Sequence, residues 1–169
     1  KNRVRIHQTL GFASIVITVG VLISGFYVSL GLVERAIAVN SSGARPLLLV
    51  NLLDMLMFSV LYYLGLANRT NINKHKRFMT LAVIILLNPG FFRIGRFIIG
   101  GGFVAVLLAI VITSGVILLY AWLDKKQHQK VHPVIKRAAI VMILVQIIRI
   151  PLAITPQWAM VADWMLETF

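Results

Sequence analysis

Three short basic stretches divide an otherwise apolar chain of 169 residues. Twelve of the seventeen Lys and Arg residues lie within residues 1–5, 69–77 and 125–137. Between these stretches the chain is almost continuous hydrocarbon, and its apolar runs are long enough to cross a bilayer as helices. Basic residues in short loops stay on the cytoplasmic side of a membrane, so we expect all three stretches on that side.

Composition excludes a water-soluble protein. Hydrophobic residues form 59% of the chain, whereas about half is usual for soluble domains, and the mean hydropathy is +0.90. The net charge is +12, and the basic residues lie beside apolar runs. This arrangement favours contact with anionic lipid headgroups rather than with nucleic acid. Membrane lipids are therefore the expected partners. The sequence contains no cysteine, which excludes disulfides and thiolate-bound metals.

Five apolar segments meet or approach the length of about 20 residues that a membrane-spanning helix needs. They comprise residues 10–33, 46–67, 78–98, 103–123 and 138–153. Alternation of the spans places the N-terminus in the cytoplasm and the C-terminus outside. The chain begins with Lys1 rather than Met, so we expect it to be part of a longer protein.

Turn residues mark the boundaries of these spans. Pro46 suits the first turn of the second span, and three glycines at residues 100–102 allow a tight reversal between the third and fourth spans. Beyond Pro156, an amphipathic segment is expected to form a short helix at the outer surface, with Trp158 and Trp164 at headgroup depth. The predicted fold is one all-α transmembrane bundle of about five spans with an interfacial C-terminal helix.

Seven polar residues are expected to lie within the outer half of the apolar spans. A buried charge in a membrane needs a partner, so Asp54 should pair with Arg93 or Arg149. The arginines outnumber this carboxylate, and their excess charge predicts a site for a lipid phosphate, a quinone or a carboxylate. The alternative is an ion pair that only holds the helices together. The candidate ligand-binding residues are Asn51, Asp54, Asn88, Arg93, Arg96, Gln146 and Arg149.

Residues 88–90 read Asn-Pro-Gly and interrupt the third span. Proline removes a backbone donor, so the helix should kink or open there. Such breaks often line cavities in membrane proteins, although a kink can also serve packing alone.

The four histidines are expected at the cytoplasmic ends of the spans. Two imidazoles from facing helices can ligate a haem iron, which makes His7, His75 and His132 candidate ligands of a haem b. The alternative is that these histidines cap helices or contact headgroups. His128 and His132 are spaced for a metal pair, but no neighbouring carboxylate or thiolate completes a metal site.

A short motif opens the third span. Residues 75–79 read His-Lys-Arg-Phe-Met, and Asn88, Pro89 and Arg93 follow. Together with His7 and residues 132–134 (His-Pro-Val), this pattern resembles bacterial multi-pass inner-membrane proteins of uncharacterised function. The resemblance implies a bacterial inner-membrane location and supplies no activity. The chain also resembles haem-associated families of the cytochrome b type, which implies haem ligation by His7 and His75.

No motif of hydrolytic, acyl-transfer or nucleotide-dependent enzymes occurs in the sequence. We therefore expect a non-catalytic inner-membrane protein that is an accessory subunit of a larger membrane complex or a binder of a lipid or quinone. A redox protein that binds haem b or quinone is the first alternative. A transporter component gated by Asp54 with Arg93 or Arg149 is the second.

Overall fold

A computed structural model describes residues 2–39, 44–100 and 103–169. The described residues form six helices and no strand, which confirms the all-α prediction. The side chains of residues 2–5, 7 and 8 lie outside the described part. The helices are α1 (Asn2–Ala38), α2 (Ala44–Ala67), α3 (Ile72–Ile99), α4 (Phe103–His128), α5 (Pro133–Ala153) and α6 (Pro156–Thr168).

Four of these helices, α1 to α4, are long and apolar enough to cross a membrane. Helix α5 alone is shorter and carries Lys136, Arg137 and Arg149, but α5 and α6 together qualify as a bent fifth span. The bend between them is 86°, so α6 runs across the end of α5 rather than continuing it. The chain is therefore a multi-pass membrane protein.

Helix α2 lies at the centre of the bundle and contacts α1, α3, α5 and α6, while α3 packs against α4. The larger core cluster contains residues of α2, α3, α4 and α5, and the smaller one contains residues of α1, α2 and α6. Fully buried members of the larger cluster include Leu81, Ile85, Ile117 and Met142. The smaller cluster is built on Leu30, Val33, Leu48 and Ala162.

Local capping explains where several helices begin and end. Asn71 caps α3 by accepting from the backbone N–H of Lys74, and Thr155 caps α6 in the same way through the N–H of Trp158. Gly100 ends α3 with φ of +88°, a left-handed conformation that glycine adopts without strain. Gly101 and Gly102, the rest of the expected reversal, lie outside the described residues.

All five helices that correspond to the predicted spans are longer than the apolar runs suggested, and α3 and α4 extend into the basic stretches. Helix α3 begins at Ile72 rather than near residue 78, and α4 continues to His128 rather than ending near residue 123. Their polar ends remain helical because charged side chains can extend from a helix that projects beyond the hydrocarbon region. Helix α3 also runs without interruption through Pro89, so of the two expected outcomes, a kink or an opening, the opening does not occur.

The start of α2 anchors α6. The indole N–H of Trp158 donates to the backbone carbonyl of Arg45 at 2.8 Å, and Arg45 pairs with Asp163 at 2.7 Å. These contacts fix the bend between α5 and α6 at the same end of the bundle where α1 ends. The opposite end, where α2 and α4 end and α3 and α5 begin, carries the basic residues of 69–77 and 125–137 and is called the basic end below.

Candidate functional site

A buried polar network joins four helices in the half of the bundle away from the basic end. Arg149 Nη1 of α5 donates to Asp54 Oδ1 of α2 at 2.8 Å. Asn88 Nδ2 of α3 donates to Asp54 Oδ2 at 2.6 Å, and Thr113 of α4 donates to Asn88 Oδ1 at 3.1 Å. All four residues are buried. The expected pairing of Asp54 with one of two arginines is confirmed for Arg149.

The space beside this network is small. Asn51, Asp54, Asn88 and Arg149 line a cavity of about 10 Å³ together with apolar side chains of α2, α3 and α4. A cavity of roughly this size accommodates one water molecule, whereas ligand sites usually enclose about 300–1,000 Å³. In this structure the network is a packed ion-pair junction, and the cavity beside it is far smaller than the usual volume of a ligand site.

Several polar side-chain atoms of α5 are buried without a hydrogen-bond partner in the part of the chain that the structure describes. Arg149 uses Nη1, but its Nε and Nη2 atoms are buried without a partner among the described residues. Both amide atoms of Gln146, one turn earlier on α5, are also buried without a hydrogen-bond partner among the described residues. Gln146 therefore lies at the level of the network, as the sequence suggested, without joining it.

Arg93 and Arg96 do not join the network either. Both side chains are exposed, and neither forms an ion pair within the described parts of the chain. Arg93 follows Asn88 by five residues, which corresponds to one full helical turn and about 140° more. Its side chain therefore lies on a different face of α3 from that of the buried Asn88. The candidate residues thus divide into a buried set around Asp54 and an exposed pair on α3.

A second buried ion pair, which the sequence analysis missed, lies at the basic end. Arg77 Nη2 of α3 donates to Asp124 Oδ1 of α4 at 2.7 Å, and both residues are buried. The backbone N–H of His132 donates to the other oxygen of Asp124 at 2.8 Å, while His128 Nδ1 lies 3.3 Å from Asp124 Oδ1. Asp124 was detectable as the acidic residue that immediately precedes the basic stretch 125–137.

Two candidate haem ligands are engaged in local structure. His75 Nδ1 donates to the backbone carbonyl of Gly65 at 2.7 Å and so ties α3 to α2. His132 Nδ1 accepts from the backbone N–H of Val134 at 3.2 Å and caps α5. The third candidate, His7, has its side chain outside the described residues. Burial, and next the charge of Arg77, lower the pKa of His132 below its ordinary value.

A large groove opens at the basic end between α2, α3 and α5. Its volume is about 690 Å³, within the range of small-molecule sites. Its walls are mainly apolar, and its polar lining consists of one amide, one imidazole and two cations without any carboxylate. The lining residues are Met57, Val60, Leu61, Leu64, Asn68, Lys74, Phe78, His132, Pro133, Val134, Arg137, Ala138 and Val141.

No family model, curated protein or solved structure matches this chain. Function is therefore inferred from the chemistry of the groove and of the two ion pairs.

Proposed function

We propose that this multi-pass protein is non-catalytic and binds an anionic lipid in the groove between α2, α3 and α5. In this proposal the acyl chains lie along the apolar faces of α2 and α5, and the headgroup phosphate lies against Lys74 and Arg137. The observation that carries the proposal is a groove of about 690 Å³ that combines apolar walls with cations and lacks an acidic residue in its lining.

The apolar walls favour a lipid over a water-soluble anion. Val60 of α2 and Val141 of α5 line the groove and remain 45% and 50% exposed. At this depth the bilayer offers hydrocarbon rather than water, so the walls require an apolar cover, which acyl chains supply and a free phosphate lacks. A phosphate attached to acyl chains satisfies both the walls and the cations.

The position of the cations supports an orientation. Lys74 and Arg137 belong to the basic end, and short basic segments are retained on the cytoplasmic side. The cytoplasmic leaflet is also rich in anionic lipids, which attract Lys and Arg by about 1 kcal/mol each. We therefore propose that the basic end and the groove face the cytoplasm of a bacterial inner membrane.

Competition binding in a neutral detergent tests this function. A fluorescent phosphatidylglycerol serves as the probe, and phosphatidylglycerol, phosphatidylcholine and inorganic phosphate serve as competitors. Lys74→Gln and Arg137→Gln should each weaken binding of the probe about fivefold, the equivalent of one lost cation near a lipid surface. Lys76→Gln and Lys136→Gln are matched controls because both lysines are exposed and neither lines the groove.

The proposal requires that phosphatidylglycerol compete far better than phosphatidylcholine and that inorganic phosphate compete poorly. Equal competition by the two lipids would refute an anionic site. Equal losses in the groove variants and the control variants would show a diffuse charge effect and would also refute the groove.

Membership of a larger membrane assembly is a second candidate function, carried by α1. Within an apolar stretch of 18 residues in α1, only 11% of the residues are buried against the rest of the chain. The share is 33% for the matching stretches of α2 and α3. A side chain added at Gly20 would meet nothing within 4 Å, and small residues such as Gly20 allow close helix contact in membranes. Gly20→Leu should release a partner subunit from the purified complex. Purification of the wild-type chain without any stoichiometric partner would contradict this candidate.

A further inference from the structure

His132 differs from the other groove residues because it also caps a helix. It lines the groove and is also the N-cap of α5, where its Nδ1 atom accepts from the backbone N–H of Val134. Its own backbone N–H donates to the buried carboxylate of Asp124. The ring is therefore held beside the groove in a neutral form with Nδ1 unprotonated.

Charged groups surround His132 from three helices. Arg77 and Lys74 of α3 and His128 of α4 oppose a positive charge on its ring, while Asp124 of α4 favours one. Arg137 of α5 lines the same groove. The carboxylate of Asp124 is already engaged by Arg77 and by a backbone N–H, so the cations prevail while the groove holds no anion.

We infer that His132 is a proton-controlled contact for the lipid headgroup, so that protonation of its ring strengthens binding of an anionic lipid in the groove. This inference rests on the proposed function and adds a regulator to the same site. A proton taken from the cytoplasmic solution binds Nδ1. The ring then carries a third positive charge beside Lys74 and Arg137.

The cap changes in the same step. Once Nδ1 carries a proton it can no longer accept from Val134, so that backbone N–H becomes available to a headgroup oxygen. Residue 133 is proline and offers no N–H of its own. A bound phosphate would thus replace the imidazole as the acceptor at the start of α5, a position that favours anions.

The experiment measures phosphatidylglycerol binding at about pH 7.5 and about pH 5.5, which bracket the usual titration of histidine. Phosphatidylglycerol is a phosphodiester, so its charge stays constant over this range. The wild-type chain should bind about fivefold more tightly at the lower pH, the effect of one added cation near a lipid surface.

His132→Asn is the decisive variant. Asparagine retains an oxygen that can cap α5 but cannot acquire a proton, so this variant should bind equally at both pH values. His128→Asn is the control, since His128 also lies beside Asp124 but does not line the groove, and it should keep the pH dependence.

Each result has a separate meaning. A pH effect that persists in His132→Asn, or that is lost in His128→Asn, would overturn the role of His132 and leave the lipid site intact. A wild-type chain that binds the anionic lipid equally at both pH values would also overturn the role of His132 without refuting the lipid site. Loss of the preference for phosphatidylglycerol over phosphatidylcholine at both pH values would refute the proposed function itself.

A measurement on the unmodified chain does not depend on whether the variant folds. Linkage requires that a ligand preferring the protonated ring raise the pH at which that ring titrates. NMR of ¹⁵N-histidine in the wild-type chain should therefore show His132 titrating at higher pH with phosphatidylglycerol than with phosphatidylcholine. An unchanged titration midpoint would overturn the inference.

Discussion

Asp54 illustrates at the scale of a residue how a charge is accommodated inside this bundle. It is almost fully buried and receives hydrogen bonds from both Arg149 and Asn88. Two donors on one carboxylate offset part of the cost of removing it from water. The remaining donors of Arg149 have no such partner, so Arg149 depends on Asp54 more than Asp54 depends on Arg149.

Asp54→Asn should therefore destabilise the protein by about 3–5 kcal/mol, because it leaves the guanidinium of Arg149 buried without a counter-charge. Unfolding in detergent, followed by circular dichroism, measures the loss. Arg93→Gln is the control and should change the free energy of unfolding little, since Arg93 is exposed and lies outside the network.

The double variant Asp54→Leu with Arg149→Met separates two explanations of that loss. Replacing both charges removes the buried ion pair without leaving an isolated charge, so stability should return to near that of the wild type. A double variant as unstable as Asp54→Asn would show that the network stabilises the fold through its hydrogen bonds to Asn88 and Thr113 instead.

His132 predicts how stability depends on pH in the absence of lipid. Its pKa is lowered in the folded chain relative to the ordinary value of 6.5, so the folded state resists protonation more than the unfolded state does. The contribution is complete above about pH 6.5 and is lost as the pH falls from there toward the folded-state pKa. Thermal midpoints should fall over this range for the wild type and less for His132→Asn. An equal fall in both proteins would assign the effect to other groups.

At the scale of an element, the contact between α2 and α3 depends on a close approach at Gly65. A Cβ atom at this position would lie 2.7 Å from Met79 Sδ and 3.1 Å from Met79 Cγ. The carbonyl of Gly65 also accepts from His75, which limits how far the two helices can separate. Small residues at such crossings allow membrane helices to pack tightly.

Gly65→Ala should cost about 1 kcal/mol, the low end of the range for overpacking, because the flexible thioether end of Met79 can move aside. Gly20→Ala is the matched control because a Cβ at Gly20 meets nothing within 4 Å, so it should leave stability unchanged or slightly improved. The comparison uses the same unfolding measurement for both variants. Equal effects of the two substitutions on the free energy of unfolding would mean that α2 and α3 can shift to accommodate the added methyl group.

The helices themselves could be predicted from the sequence because lipid allows few solutions for a long apolar run. A pairing of Asp54 with an arginine could also be predicted, but Arg93 and Arg149 fall at similar depth in apolar spans, so the sequence left the choice between them open. The pairing of Arg77 with Asp124 could not, because both were assigned to polar segments outside the spans. Whether a charged flank remains helical and folds inward depends on neighbouring helices rather than on local composition.

The groove could not be predicted for a related reason. Its walls come from α2, α3 and α5, and residues as distant in sequence as Lys74 and Arg137 meet there only through the packing of the bundle. The sequence placed the ligand site around Asp54 because buried charge is conspicuous in an apolar chain. The packing leaves about 10 Å³ beside that network and about 690 Å³ at the basic end. Charges are expected at the end of any membrane bundle, so they do not by themselves indicate a site in the sequence.

At the scale of the whole molecule, the distribution of charge predicts the orientation in the membrane. The sequence contains no cysteine, so single-cysteine variants can be labelled without background. Gln157→Cys, at the start of α6, should react with an impermeant thiol reagent in intact spheroplasts. Lys130→Cys, at the basic end, should react only after permeabilisation. The reverse pattern would invert the orientation and place the groove in the other leaflet.

The central claim is that the groove holds an anionic lipid, and photo-crosslinking in native-like bilayers tests it most directly. Phosphatidylglycerol and phosphatidylcholine with the same photoactivatable acyl chain would be compared, and crosslinked peptides would be identified by mass spectrometry. We predict that the anionic probe concentrates on groove residues such as Leu64 and Val141, while the zwitterionic probe does not. Crosslinks from both probes spread evenly over the exposed apolar faces of α1 and α4 would contradict the account.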